Sequence, residues 1–183
     1  LVATAENVQD LLPTIRSRSV ILHLGPLSAQ EMRAFVQARR LDEPERRVRL
    51  AAGSPGVAVA LDLKAYERRQ NAMLALLRAA SGDAPFGHWA DHAGLAVGAR
   101  EERLEDHLAV LFSLLADILS LRHGLDDEIR NAELREDLER LAGRVSFDWI
   151  QAACRKAEEI GALLKRNIQK SIALDAMVLS LRA

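Results

Sequence analysis

Residues 104–121 read Leu104-Glu-Asp-His-Leu-Ala-Val-Leu-Phe-Ser-Leu-Leu-Ala-Asp-Ile-Leu-Ser-Leu121. Leu104, Leu108, Leu111, Leu115, Ile118 and Leu119 recur at three- and four-residue steps, the period of one helix face. Val110, Phe112 and Leu114 widen the stripe beyond that face, so this helix is expected at the centre of a bundle. Composition points the same way: 49% of residues are hydrophobic and only 4% aromatic. Leu and Ala dominate that fraction, which is the currency of helix-on-helix packing. The apolar run Leu108–Leu121 is broken by Asp117 and falls short of the roughly 18–20 residues a membrane span requires.

Working outward, the pattern predicts helices over 65–81, 85–97, 100–123, 128–142 and 146–164, with a last one from about 168 to the end. Breaks are expected at Ser81-Gly82-Asp83, Gly98, Gly124 and Gly143. Gly124 and Gly143 stand where a helix C-cap favours a left-handed residue. Ser146 opens the following helix, with Asp148 in its first turn favoured by the helix dipole. The closing helix carries Ile172, Leu174, Met177, Val178 and Leu181. A charged stretch, residues 62–69, leads into this large helical unit.

Upstream, residues 27–64 read as three short helices. Ser28-Ala29-Gln30-Glu31 is a capping box, in which the serine accepts from the backbone three residues on and the glutamate reaches back. Met32, Phe35 and Val36 form the apolar face of a helix ending near Arg39-Arg40. A second helix runs over Pro44–Ala52 and stops at Gly53. Ser54 caps a third, with Pro55 at its first position, where the missing N–H costs nothing. Its expected apolar face is Val57, Val59, Ala60 and Leu61.

Residues 1–26 read differently: strand Leu1–Ala5, short helix Gln9–Arg16, strand Val20–Leu24, then Gly25-Pro26. Two strands joined by a helical crossover imply a parallel pair, which needs cover on both faces. Such a piece cannot build a core alone. It is expected to be the tail of a larger α/β domain, and the chain a C-terminal fragment of a longer protein. Between the strands lies Leu11-Leu-Pro-Thr-Ile-Arg-Ser-Arg-Ser19, where Arg16 and Arg18 bracket a serine in a polar turn. Guanidinium groups stay charged and fork onto phosphate oxygens, so this turn is the place for a phosphate-sensing arginine.

Other chemistry is weakly signalled. With 25 basic and 26 acidic residues, no net field draws the molecule to nucleic acid. The single cysteine, Cys154, excludes an internal disulfide and fits a reducing compartment. No signal peptide is recognisable. His88 and His92 share a helix face next to Asp91, and His107 lies further on, but the spacing lacks the His-Glu-x-x-His form and a third ligand. These histidines are expected on a polar helix face, and His123 at a helix C-terminus. Cys154 lies between Ala152-Ala153 and Arg155-Lys156 and is expected to pack rather than react. Basic clusters at Arg39-Arg40, Arg46-Arg47-Arg49, Arg68-Arg69 and Lys165-Arg166 with Lys170 are expected as solvated faces, a phosphate contact being the alternative.

Residues 11–19 resemble the conserved end of the nucleotide-binding domain in the clamp-loader branch of the AAA+ ATPases. Those proteins carry Leu-Leu-Pro-Thr-Ile-x-Ser-Arg-Cys, and here only Ser19 departs from it. The resemblance implies that Arg18 is an arginine finger, set by Pro13, Thr14, Ser17 and Ser19. It implies a mainly α chain: the C-terminal end of an AAA+ α/β domain (1–26), a three-helix lid (27–64) and a helical collar for oligomerisation (65–183). Asn167 and Ala173-Leu174-Asp175 resemble the last collar helix. ATP-hydrolysing members begin their third lid helix Gly-Ser-x-Arg, whose arginine senses the γ-phosphate; here Gly53-Ser54-Pro55-Gly56 supplies glycine. The resemblance therefore implies a subunit similar to delta-prime of the bacterial DNA polymerase III clamp loader, itself non-catalytic. Its partners would be gamma/tau and delta subunits, with the sliding clamp and primer-template DNA reached through the assembly, in the cytoplasm and away from membrane. No cofactor would be bound by residues 1–183, ATP and magnesium belonging to the neighbouring subunit. The alternatives are a gamma/tau-type motor subunit or a stand-alone helical interaction module.

Overall fold

The structure, a computed structural model, describes residues 2–5, 7–97, 103–126, 129–163 and 169–182, with the backbone alone for 92–97. Among them the regular elements are helical: α1 (Pro13–Arg16), α2 (Ala29–Ala38), α3 (Pro44–Ala51), α4 (Pro55–Ala60), α5 (Leu63–Ala80), α6 (Phe86–Val97), α7 (Leu104–Arg122), α8 (Arg135–Arg144), α9 (Phe147–Leu163) and α10 (Lys170–Arg182). Short 3₁₀ turns lie at Val8–Asp10 and Ala132–Leu134.

The two expected strands do not form among the described residues. Val2, Val20 and Leu24 are more than nine-tenths exposed, and Leu22 nearly so. An isolated extended run has no ladder partner for its N–H and C=O groups and no face on which to bury its side chains. The crossover helix is correspondingly short. Pro13 occupies the first turn of α1, and the helix ends after Arg16.

Helices α2–α4 make a small bundle with its own core of Met32, Val36, Val48, Ala51 and Ala58. The expected capping box forms: the Ser28 backbone N–H donates to Glu31 Oε2 at 2.8 Å, and Glu31 N donates to Ser28 Oγ at 3.3 Å. Gly53 turns the chain at φ +82°, and its carbonyl accepts from Leu27 N at 2.8 Å. A side chain there would meet Pro26 Cβ at 2.6 Å and Leu27 O at 2.7 Å. In α4 the expectation is corrected, because Ala58 faces inward while Val57 and Val59 stand about half exposed. With six residues, α4 buries the single position Ala58, which completes the core made with α2 and α3.

Helices α5–α10 form the large bundle. α7 is its axis, with Leu104, Leu108, Val110, Leu111, Leu114, Leu115 and Ile118 buried. Each fully buried Leu or Ile stabilises the fold by roughly 1.5–3 kcal/mol. α5 packs against α6, α7 and α10, and α7 also receives α8 and α9. Indole N–H groups tie α10 in place: Trp89 Nε1 donates to Asp175 Oδ1 at 2.7 Å and Trp149 Nε1 to the Leu181 carbonyl at 3.0 Å.

Helix ends follow their caps. Asp62 Oδ1 accepts from Lys64 N and Ala65 N, both at 3.0 Å, so α5 starts earlier than the apolar pattern alone predicts. Gly124 adopts the left-handed turn expected of it, and Gly82, within the expected break at 81–83, does so as well. Gly143 does not: α8 continues through it to Arg144, whose guanidinium docks on the carbonyls of Ser81 (3.1 Å) and Gly82 (3.0 Å). The break expected at Gly98 lies outside the described residues.

Candidate functional site

The turn after α1 presents the sequence-predicted residues in a definite order. Pro13 and Thr14 lie in α1, Ser17 is its C-cap, and Arg18 and Ser19 follow. Ser17 Oγ donates to the Thr14 carbonyl at 3.3 Å and Ser19 Oγ to the Ile15 carbonyl at 2.8 Å. Arg16 Nη1 donates to Gln9 Oε1 at 2.5 Å, which makes it the arginine bound to its own chain. Arg18 is exposed, and among the described residues its guanidinium has no partner. The turn therefore ties down Arg16 and both serines and leaves one guanidinium available.

At Gly56, in the first turn of α4, an added Cβ would meet nothing within 4 Å. Packing does not demand glycine there. The basic residues of α3 are committed internally, so the solvated-face expectation is corrected for them. Arg47 is buried: Nε and Nη2 reach the Asp42 carboxylate, and Nη1 donates to the carbonyls of Ala58 and Leu61, both at 2.8 Å. This one guanidinium satisfies the C-terminal carbonyls of α4 and the start of the connection to α5. Arg46 bridges Glu43 and Glu133, each at 3.2 Å. Arg49 faces Glu133 at 3.7 Å. Arg39 stacks over the Phe35 ring, and Arg69 pairs with Asp106 at 3.1 Å. Lys165 and Arg166 lie outside the described residues.

A buried polar cluster in the large bundle has no sequence signal apart from Asp117, the one acidic interruption of the apolar run. Asp117 Oδ1 accepts from Arg130 N at 3.0 Å. Its Oδ2 accepts from Asn131 N at 2.9 Å and Asn131 Nδ2 at 2.6 Å. Asn131 Oδ1 in turn accepts from the Tyr66 hydroxyl (2.7 Å) and Gln70 Nε2 (3.0 Å). Burial, with Asp117 and Glu133 nearby, pushes the Tyr66 phenol up. The cluster pins residues 130–133 to α7 and α5. α8 begins at Arg135, later than the expected 128, after the 3₁₀ turn Ala132–Leu134.

His88 is exposed on α6, as expected of a polar helix face. His107 is buried, its Nδ1 at 3.2 Å from the Arg103 carbonyl, rather than on a polar face. The His92 side chain lies outside the described residues. Among those described, no group of three His, Cys, Asp or Glu residues is arranged to hold a metal. Burial and Glu158 push the Cys154 thiol up, which disfavours the reactive thiolate. No described helix is long and apolar enough to cross a membrane.

On the outer face of α10, Ile172 and Leu179 are exposed, opposite buried Leu174, Met177 and Val178. Ile172 is 60% and Leu179 56% exposed, so this stripe has no cover within the described residues. Of the apolar residues the sequence places on this helix, Leu174, Met177 and Val178 are buried and Ile172 faces out.

The large bundle coincides with a known family: "DNA polymerase III, delta subunit, C terminal" matches residues 65–182. A search of the curated proteins finds no match.

Proposed function

From the premise that this chain belongs to the family defined by the C-terminal part of the DNA polymerase III delta subunit, we propose that it is a non-hydrolysing, delta-prime-like member of the replication clamp loader. Family membership makes it a subunit of that loader. The finer reading rests on residues outside the matched segment. The family match begins at residue 65, whereas the resemblance to delta-prime lies in residues 11–19 and 53–56, so the two do not compete.

In this reading residues 1–26 end an AAA+ domain, and Val20–Leu24 would pair with strands of that domain. Helices α2–α4 are the lid and α5–α10 the collar. Arg18 reaches the γ-phosphate of ATP bound with magnesium in an adjacent gamma/tau subunit. The exposed Arg18 guanidinium, without a partner among the described residues, beside a tied Arg16 is the observation that supports this most directly. A finger must have no partner at home if it is to meet charge developing elsewhere, and such fingers are worth about 10³–10⁵ in turnover. Glycine at position 56 favours the non-hydrolysing subunit over a motor subunit, since the open space around it would accept an arginine. The apolar stripe of α10 supports assembly through the collar with gamma/tau and delta subunits. The clamp and primer-template DNA are then met through the assembly, in the cytoplasm where replication takes place.

The test is clamp- and DNA-stimulated ATPase of a loader reconstituted from intact subunits, wild type against Arg18→Ala. A fall on the order of tenfold or more, with the complex still eluting as one species, is expected. Unchanged turnover in an intact complex would reduce Arg18 to a surface arginine. Ile172→Glu with Leu179→Glu should instead release the subunit from the complex.

A further inference from the structure

We propose that Glu133 is the catch of a salt-sensitive latch holding the small bundle (α2–α4) against the large one (α5–α10). The two bundles have separate hydrophobic cores, so no shared apolar core sets their relative orientation. Covalently they are joined by Leu61-Asp62 alone, between the end of α4 and the start of α5. Units joined in this way move relative to one another unless a specific contact opposes it.

Ile129 of the large bundle borders Leu27, Met32 and Val48 of the small one, and Glu67 of α5 lies near Arg46. The direct ion pairs between the bundles among the described residues, however, converge on Glu133. Glu133 Oε1 meets Arg46 Nη2 at 3.2 Å, and Oε2 faces Arg49 Nη2 at 3.7 Å, both arginines belonging to α3. From the large bundle, Gln70 Nε2 donates to the same Oε1 at 3.0 Å. Arg49 Nε also approaches the Arg130 carbonyl at 3.4 Å. The receiving segment is held firm, because Asp117 accepts from the backbone N–H groups of Arg130 and Asn131. A mobile carboxylate would follow the arginines and hold nothing. One anchored through Gln70 and the segment behind it transmits the small bundle's position to α5 and α7.

The pairs are partly exposed, with the Glu133 side chain at 31% and Arg49 at 37%. Salt therefore reaches them. Raising ionic strength from about 0.1 M to about 1 M shortens the Debye length from about 10 Å to about 3 Å and weakens such pairs. Arg46 is less exposed and keeps Glu43 as a partner within its own bundle, so it gains an alternative when the latch opens. The latch is a property of the chain itself and stands whether or not Arg18 acts as a finger.

The experiment measures the distance between spin labels on the full chain, at Gln37→Cys in α2 and Glu158→Cys in α9, with Cys154→Ser. Both labelled positions are exposed. The expected result is one narrow distance distribution at low salt, lost at high salt and lost at low salt in Glu133→Gln. A distribution that stays narrow in Glu133→Gln, or in wild type at high salt, would overturn the proposal. Should Glu133→Gln lose helical circular dichroism, Arg46→Gln with Arg49→Gln removes only the small bundle's side of the latch. That variant must broaden the distribution at low salt, and a narrow one refutes the latch.

Discussion

Replacing Asp117 by alanine tests whether the polar cluster organises the large bundle. Its carboxylate accepts from Arg130 N, Asn131 N and Asn131 Nδ2. Asn131 is fully buried, so after the change its backbone N–H faces neither that carboxylate nor water. Its Nδ2 keeps only Ser113 Oγ, at 3.1 Å, for two hydrogens. A buried donor left unpaired costs about 1–3 kcal/mol. One wholly unpaired donor and one half served give about 2–4 kcal/mol, with Arg130 N adding little because it lies nearer solvent and can rehydrate. Removing the buried carboxylate also relieves its desolvation, so a net loss of about 2–3 kcal/mol is expected. That is a large share of the roughly 5–15 kcal/mol typical of a domain. Urea titration followed by tryptophan fluorescence is the assay, since both tryptophans, Trp89 and Trp149, belong to the large bundle and report on it alone. Asp117→Asn should fall between, as one oxygen still accepts while the amide opposes a donor. A loss below about 1 kcal/mol for Asp117→Ala, at unchanged m-value, would refute the claim that this carboxylate organises residues 130–133.

Gly53→Ala should cost about 1–3 kcal/mol from the left-handed backbone, with the contact to Pro26 adding to it. Hydrogen exchange should then quicken over α2–α4 and not over α5–α10, because the cores are separate. Ser28→Ala should destabilise α2 by about 1 kcal/mol through loss of its cap, read by the same exchange measurement. Hydrogen bonding to Ser28 holds the Glu31 carboxyl below its ordinary 4.5, so this support is complete above that value and fades as the pH falls through the lower folded one. The lone tyrosine, Tyr66, has its phenol raised above 10.0 by burial. Its contribution is complete below that pH and is lost as the pH rises through the folded value. Phenolate absorbance should therefore appear later in the folded chain than in urea, and Tyr66→Phe should flatten the alkaline limb of stability.

Much of the helical framework is legible in the sequence because its causes are local or periodic. The Leu104–Leu119 stripe names the axis of the large bundle, since a helix apolar on nearly every side has nowhere to lie but inside. The Ser28–Glu31 box, Ser54-Pro55, Gly82 and Gly124 act within one turn of chain, and each appears where the sequence places it. The features that escape a sequence reading depend on distant groups. Gly143 reads as a stop, but Arg144 finds carbonyls more than sixty residues away and carries α8 on. Arg47 reads as one of several surface arginines until α4 brings two carbonyls to it. The expected strands of residues 1–26 have the right composition but no partners among the described residues, and β structure exists only as a pairing.

The sequence alone determined which segments are helical, where several of them start and stop, and that Arg18 stands in a serine-flanked turn. These follow from dihedral preference, capping and the 3.6-residue period, which act over a few residues. The tertiary structure decided which polar groups are buried, that Ile172 and Leu179 face out from α10, and that Glu133 joins two bundles with separate cores. Those outcomes depend on groups far apart in the chain meeting in space, as Gln70 and Glu133 do. No local pattern encodes such meetings, because burial is a property of what surrounds a residue rather than of the residue itself.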